Sequence, residues 1–84
     1  MIKKEKLDFI KKEYPIGTRV KLGYMNDPYA VPIGTLGTVD YVDDAGQIGV
    51  SWDNGSTLSL IYGVDRFEVV DINKDIEEKI NISI

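Results

Sequence analysis

The apolar pattern at the start of the chain is that of a helix. Leu7, Ile10 and Tyr14 recur at i, i+3 and i+7 among Lys and Glu residues that favour helix. Pro15 ends the segment because the residue before a proline is pushed out of the α region. About three turns are too few to be stable alone in water. The pattern therefore predicts an N-terminal helix over residues 1–14 that packs on the following domain and caps it.

Beyond Gly17 the period changes to 2, which is typical of half-buried β-strands. Five short runs alternate in this way, with apolar positions at Val20 and Leu22, Val39 and Tyr41, Ile48, Val50 and Trp52, Leu58 and Leu60, and Phe67 and Val69. Inward parity predicts one core built from Val20, Leu22, Val39, Ile48, Val50, Trp52, Leu58, Leu60 and Phe67.

Turn residues separate the runs. Asp53-Asn54-Gly55 suits a tight hairpin, which predicts that the third and fourth strands pair. Short antiparallel strands remove most of their exposed edges by curling into a barrel. We therefore expect a mostly β fold, a small SH3-like five-stranded antiparallel barrel over residues 15–70, with an open five-stranded sheet as the alternative. Its connections would be the first loop Gly23–Ile33, the second loop Asp43–Gln47, the distal hairpin Asp53–Ser56 and a short helical turn Tyr62–Arg66.

Residues 71–84 carry two conflicting patterns. Ile72, Ile76 and Ile80 have helical spacing, whereas the isoleucines from Ile80 to Ile84 alternate like a strand. We expect a short C-terminal helix to about Lys79, followed by an extended tail.

The amino-acid composition excludes several classes of function. The 84 residues contain no Cys and no His, which excludes disulfides, thiolate or imidazole metal ligands, a Cys nucleophile and histidine acid–base chemistry. A domain of this size buries only about 63% of its unfolded surface, so a deep catalytic cleft is not expected. We expect no enzymatic activity, no cofactor and no metal. No apolar run approaches the roughly 18 residues of a membrane span, and we expect a cytoplasmic protein.

The net charge of -4 is unevenly distributed. Residues 1–21 hold seven basic and three acidic side chains, whereas residues 22–84 hold three and eleven. Phosphate backbones are bound mainly by Lys and Arg. The acidic body is therefore expected to repel nucleic acid, and only the N-terminal helix offers a basic surface.

Six motifs in order resemble a known family. They are YPIGTRV at 14–20, NDPYAVP at 26–32, GTLGTV at 34–39, VDDAGQI at 42–48, WDNGSTL at 52–58 and GVDRF at 63–67. Together they resemble the bacterial and phage family called domain of unknown function 4314. The resemblance implies a short domain of bacteria, their phages and other mobile elements, and it implies a fold more than an activity. The Gly-x-x-Gly-x-Val and Trp-Asp-x-Gly units are similar to SH3-like modules that bind peptides, nucleic acid or modified lysine. Unlike the nucleic-acid-binding members, this chain has only one base, Arg66, between Leu22 and Val70 of the barrel.

The first long loop offers the sharpest candidate site. A tyrosine side chain combines an aromatic face with a polar hydroxyl, and such rings bind proline-rich or cationic segments. A nearby carboxylate orients a cation. The candidate residues are Tyr24, Met25, Asp27, Pro28 and Tyr29, with Tyr62, Trp52 and the second-loop carboxylates Asp43 and Asp44. The alternative is structural: Trp52 shares parity with the core, and the loop aromatics hold the loop down. Tyr24, Asp27, Tyr29 and Tyr62 are predicted to share one exposed patch beside the second loop.

Two other patterns have simpler explanations. Asp40, Asp43, Asp44 and Asp53 lack the spacing of a calcium loop, and turn formation explains most of them. The Gly34–Thr38 segment lacks the Gly-Lys-Ser/Thr ending of a phosphate-binding loop. It is predicted to be a strand-entry turn.

These observations predict a non-enzymatic binding module that recognises a basic or proline-containing protein segment through the first loop. An alternative is a nucleic-acid-associated protein that uses Lys3, Lys4, Lys6, Lys11 and Lys12 of the helix. Another is sequestration of a small anionic ligand. The sequence leaves the oligomeric state and the identity of the partner open.

Overall fold

A computed structural model describes residues 2–70 of the chain. Its elements are the helix α1 (Lys4–Glu13) and the strands β1 (Arg19–Tyr24), β2 (Leu36–Val42), β3 (Gln47–Trp52), β4 (Leu60–Ile61) and β5 (Arg66–Val69). The predicted mostly β fold with one N-terminal helix is confirmed. The predicted helix and tail over residues 71–84 lie outside the described residues.

The five strands form one antiparallel sheet in the order β4-β3-β2-β1-β5. β4 and β5 end this order and do not pair with each other, so the sheet is not closed, as in the open-sheet alternative. The expected fourth strand is also shorter than predicted, since it starts at Leu60 rather than Leu58. A strand of two residues has few backbone N–H and C=O groups, and closing a barrel would require such groups to bond β4 to β5. The predicted pairing of the third and fourth strands is confirmed, with Ile48 opposite Leu60.

The core follows the predicted parity. Seven of the nine residues predicted for it are buried, including Trp52, and the remaining two, Leu58 and Phe67, are half-buried against it. The helix adds Ile10, which is 1% exposed and belongs to the same cluster. Through this side chain α1 packs against the core of the sheet.

Tyr41 departs from the alternation that the sequence suggests. The β2–β3 register pairs Val39 with Val50 and then Tyr41 with Gly49, so Asp40 is an extra residue at a bulge. A bulge changes which face the following side chains occupy. Tyr41 is consequently about half exposed. A Cβ placed on Gly49 would collide with the Tyr41 ring, so this pair requires the glycine.

The turns use glycine where the backbone needs positive φ. At the distal hairpin, Gly55 has a φ of +92° and donates its N–H to the Trp52 carbonyl over 2.9 Å. Asn54 accepts a hydrogen bond from the Ser56 N–H through its side chain. In the second loop, Gly46 has a φ of +83°. These contacts are the ones that the Asp-Asn-Gly and Ala-Gly signals predict.

Candidate functional site

Two buried side chains anchor the first loop. Met25 and Val31 are 5% and 4% exposed and belong to the core cluster. The loop closes where the Gly34 N–H donates to the Leu22 carbonyl over 2.8 Å and the Leu22 N–H donates to Thr35 over 2.9 Å. The loop aromatics are therefore not what holds it to the sheet.

The tip of the loop is ordered by Asp27. Its carboxylate accepts the Tyr29 N–H over 2.7 Å, and its carbonyl accepts the Ala30 N–H over 3.0 Å. Pro28, between these residues, has a fixed φ. The Asn-Asp-Pro-Tyr stretch thus forms an Asx-type turn, in which the side chain of Asp27 stabilises the backbone that presents Tyr29.

Both tyrosines of the first loop face solvent. Tyr29 is 82% exposed and Tyr24, at the end of β1, is 52% exposed. Ile33, near the end of the loop, is 75% exposed. Single exposed apolar side chains are common on any protein, but three on one anchored loop provide contact area at little entropic cost. We refer to Tyr24, Asp27, Pro28, Tyr29 and Ile33 as the loop surface.

The second-loop residue Asp43 stabilises the turn between β2 and β3. Asp43 accepts the N–H groups of Ala45 and Gln47 over 3.0 and 2.8 Å, and Asp44 is exposed beside it. The first loop joins β2 at Leu36, whereas the second loop leaves it at Val42, the other end of this seven-residue strand. The register therefore places the two loops at opposite ends of β2. Binding by these residues stays a prediction.

Tyr62 lies in an aromatic cluster rather than on an open surface. Its ring centroid is 5.8 Å from Phe9 and 6.1 Å from Tyr14, and Tyr14 is 5.2 Å from Phe67. These tilted rings join α1 to the segment between β4 and β5. Burial raises the pKa of the Tyr14 phenol, and the charges of Tyr62 and Glu13 raise it further. Tyr62 is half-buried in this cluster, and binding of a partner by Tyr62 stays a prediction.

Trp52 is a core residue, 3% exposed. Its indole N–H donates to the Leu58 carbonyl over 2.8 Å, so the ring is buried with its polar group satisfied. Gly37 lies beneath it, and a Cβ there would stand 2.8 Å from Cε3 of Trp52. Trp52 thus follows the structural alternative, and the loop surface does not contain it.

An ion pair crosses the outer face of the sheet. Arg19 donates two hydrogen bonds to Asp53, over 2.9 and 2.7 Å, and a third to the Thr38 hydroxyl over 2.9 Å. The hydrogen bonds from Arg19 lower the pKa of Asp53, and those to Asp53 raise the pKa of Arg19. The pair ties the distal hairpin to β1.

A groove that the sequence did not indicate runs between α1 and the second loop. It has a volume of about 370 Å³ and an apolar floor, with lysines on the helix side. Its lining includes Ile2, Lys3, Lys6, Ile10, Gly46 and Tyr62. Only the pairing of β4 with β3 brings Tyr62 beside the second loop, so no local signal could have predicted this groove.

Neither a metal centre nor a membrane span was found in the part of the chain that the structure describes. Residues 2–70 contain no group of three or more His, Cys, Asp or Glu side chains placed to hold a metal ion. No helix within the same range is long and apolar enough to cross a bilayer.

Comparison with known proteins supports the motif-based resemblance. No curated protein and no solved structure matched the chain. The family model described as Domain of unknown function (DUF4314) matches residues 3–70, which include α1 and all five strands. The chain therefore belongs to the family of this domain of unknown function, DUF4314.

Proposed function

We propose that this protein is a non-enzymatic binding module that recognises a basic or proline-containing protein segment through the loop surface. One observation carries the proposal. The loop is fixed by Met25 and Val31, yet Tyr29 is left 82% exposed at a tip ordered by Asp27. A rigid loop with exposed tyrosine loses little entropy when a partner packs on it.

The net charge of residues 22–70 favours a basic partner, and the two bases beside the loop, Lys21 and Arg66, lie near Ile33. Between Leu22 and Val70 the only basic residue is Arg66, against seven acidic residues. The Asp27 carboxylate accepts the Tyr29 N–H, so a negative charge lies at the backbone that carries the tyrosine. Arginine or lysine on the partner would meet both a ring face and a negative charge.

The same proposal includes an SH3-like form of the sheet. The long first loop, the short second loop and the turn before β5 follow one another as in that layout, and β5 returns to pair with β1. A proline-containing segment in an extended conformation is a common ligand of aromatic grooves on such modules. A role within a bacterial or phage mobile element belongs to this proposal too.

Fluorescence anisotropy with two labelled peptides tests the proposal. The first peptide carries two Pro-x-x-Pro units and flanking arginines, and the second has the same length but alternates Ser and Glu. We expect the wild type to bind the first and not the second. Tyr29→Ala should weaken that binding by about tenfold or more, as expected for an aromatic anchor, and should change stability by less than about 1 kcal/mol.

The double variant Lys11→Ala/Lys12→Ala is the matched control, because both lysines are exposed and lie on α1. It should bind the arginine-containing peptide as the wild type does. Equal binding by the wild type and Tyr29→Ala would contradict the proposal. Absence of binding to the first peptide, and to a displayed library of proline- and arginine-containing peptides, would do the same.

A second candidate function rests on the helix. Lys3, Lys4, Lys6, Lys11 and Lys12 are all exposed, and in residues 2–70 none forms an ion pair. They would support association with nucleic acid, while Lys3 and Lys6 beside the groove would equally suit a small anionic ligand. A single-stranded and a double-stranded oligonucleotide titrated at several salt concentrations test the first possibility. Phosphate contacts would give an affinity that falls steeply with salt and is lost in the lysine double variant.

A further inference from the structure

The outer edge of β5 is unpaired in the described part of the chain. β5 ends the strand order and pairs with β1 alone. Val70 donates its N–H to the Arg19 carbonyl over 2.9 Å, and Glu68 stands opposite Lys21 in the same register. Backbone groups alternate in direction along an antiparallel strand. The N–H and C=O groups of Phe67 and Val69 therefore point away from β1, toward the open edge.

The sequence of this edge is complementary to itself. If two β5 strands pair antiparallel about Phe67, Arg66 of one chain stands opposite Glu68 of the other, and the reverse pair follows by symmetry. Arg66 and Glu68 are exposed, and neither forms an ion pair with another described residue. Residues opposite each other in a non-hydrogen-bonded pair have Cβ atoms about 4.5–5.5 Å apart, which suits opposite charges.

Other registers are less favourable. A two-fold axis at Glu68 would place two glutamates opposite each other, and an axis at Arg66 would pair two arginines. Like charges directly opposite destabilise a strand pair. An axis at Phe67 also places the two Phe67 residues opposite each other as a hydrogen-bonded pair. This pair uses the N–H and C=O groups of Phe67 that point away from β1. Backbone direction permits an axis at Phe67 or at Val69, and of these two only the axis at Phe67 places Arg66 opposite Glu68.

We propose that two copies of this chain associate through their β5 edges, antiparallel about Phe67, so that the two sheets become one. The partner is a second copy because the charge pattern of Arg66-Phe67-Glu68 matches its own reverse. A symmetric pairing of this kind is closed, since each chain uses the same edge. It covers a sheet edge that otherwise offers a template for uncontrolled pairing. The interface borders the loop surface, because Arg66 pairs with Tyr24 and lines one groove with Ile33. Dimerisation is measured on the chain without peptide, so its failure is distinguishable from a failure of peptide binding.

Sedimentation velocity of the full chain at low salt, from micromolar to millimolar protein, tests the proposal. The wild type should form dimers as the concentration rises. Arg66→Glu and Glu68→Arg should each weaken dimerisation by roughly tenfold or more, because two attractive pairs become repulsive. The swap Arg66→Glu/Glu68→Arg should restore it to within about threefold of the wild type, since the pairs are re-formed with their charges exchanged.

Two further variants separate pairing from folding. Lys12→Glu makes the same charge change as Arg66→Glu on exposed α1 and should leave dimerisation unchanged. Val69→Pro removes an outward N–H at a half-exposed position without removing a hydrogen bond to β1, and it should abolish dimerisation. Urea unfolding of each variant verifies that its monomer folds.

Three outcomes would overturn the proposal. The first is a wild-type chain that stays monomeric at millimolar concentration, which includes the case in which another segment of the chain occupies the edge. The second is a dimer indifferent to both single charge reversals. The third is a swap variant that dimerises as weakly as the single variants although its monomer folds.

Discussion

At the scale of single residues, the stability of the fold depends most on Trp52. It is buried against Gly37 and satisfied by the Leu58 carbonyl. We expect Trp52→Ala to lower the free energy of unfolding by about 3–5 kcal/mol, a large part of a small domain's stability. Urea unfolding followed by circular dichroism measures this. Tyr29→Ala, at an exposed position, is the comparison; equal losses in the two variants would contradict the core assignment.

The Arg19–Asp53 pair predicts a dependence of stability on pH. Hydrogen bonds from Arg19 lower the folded-state pKa of Asp53 below its ordinary value. A carboxylate of this kind stabilises the fold above its ordinary pKa, and the contribution is lost as the pH falls through the folded pKa. We expect Asp53→Asn to be less stable than the wild type near neutral pH and equally stable in acid, at a pH below the lowered folded-state pKa of Asp53.

Urea titrations of the wild type and Asp53→Asn at both pH values provide the measurement. The effect should be small, because the pair is partly exposed and screened by solvent. Asp44→Asn, which removes another exposed carboxylate, is the matched control. A difference between wild type and Asp53→Asn that persists unchanged in acid would assign the effect to the hairpin turn instead of the ion pair.

At the scale of elements, the β2–β3 bulge depends on the match between Tyr41 and Gly49. A Cβ on Gly49 has no room while the Tyr41 ring covers it. We expect Gly49→Ala to cost about 1–3 kcal/mol in the wild-type background, as overpacking does. In a Tyr41→Ala background the same change should cost much less, because the ring is gone. A double-mutant cycle by urea unfolding measures the coupling, and additive losses would contradict the contact.

The helix α1 depends on the sheet for its stability. It spans ten residues, too few to persist alone in water, and Ile10 is its one buried side chain. We expect Ile10→Ala to lower stability by about 2–5 kcal/mol, with loss of helical circular dichroism. Lys11→Ala, at the next position and exposed, should leave both nearly unchanged. A variant at Ile10 that unfolds as the wild type does would show that α1 does not dock through this residue.

Local signals predicted most of the elements. Pro15 after an amphipathic stretch predicts the end of α1, and Asn54-Gly55 predicts the distal hairpin. The structure departs from these predictions at the positions where strand register or strand pairing determines the conformation. Tyr41 leaves the face of Val39 because of a bulge at Asp40, and a bulge has no fixed sequence signature. β4 begins only at Leu60, and residues 57–59, which precede it, do not pair with β3.

At the scale of the whole molecule, the fold was more predictable than the site. Period-2 alternation identifies inward residues along each strand, which is why Ile48, Val50 and Trp52 were assigned together. The sequence also singled out the loop tyrosines, but it did not show that Met25 and Val31 anchor the loop or that Tyr62 faces Phe9 and Tyr14. Those relations depend on which elements meet in space, and the alternation carries no information about that.

The central claim is that the loop surface, rather than the helix, receives the partner. Titration of the isotope-labelled full chain with the arginine- and proline-containing peptide, followed by amide chemical shifts, tests this directly. We predict that the largest shift changes fall within residues 24–33, with Tyr29 among them, while the amides of α1 stay in place. The largest changes on Lys3 to Lys12, or no changes at saturating peptide, would contradict the account.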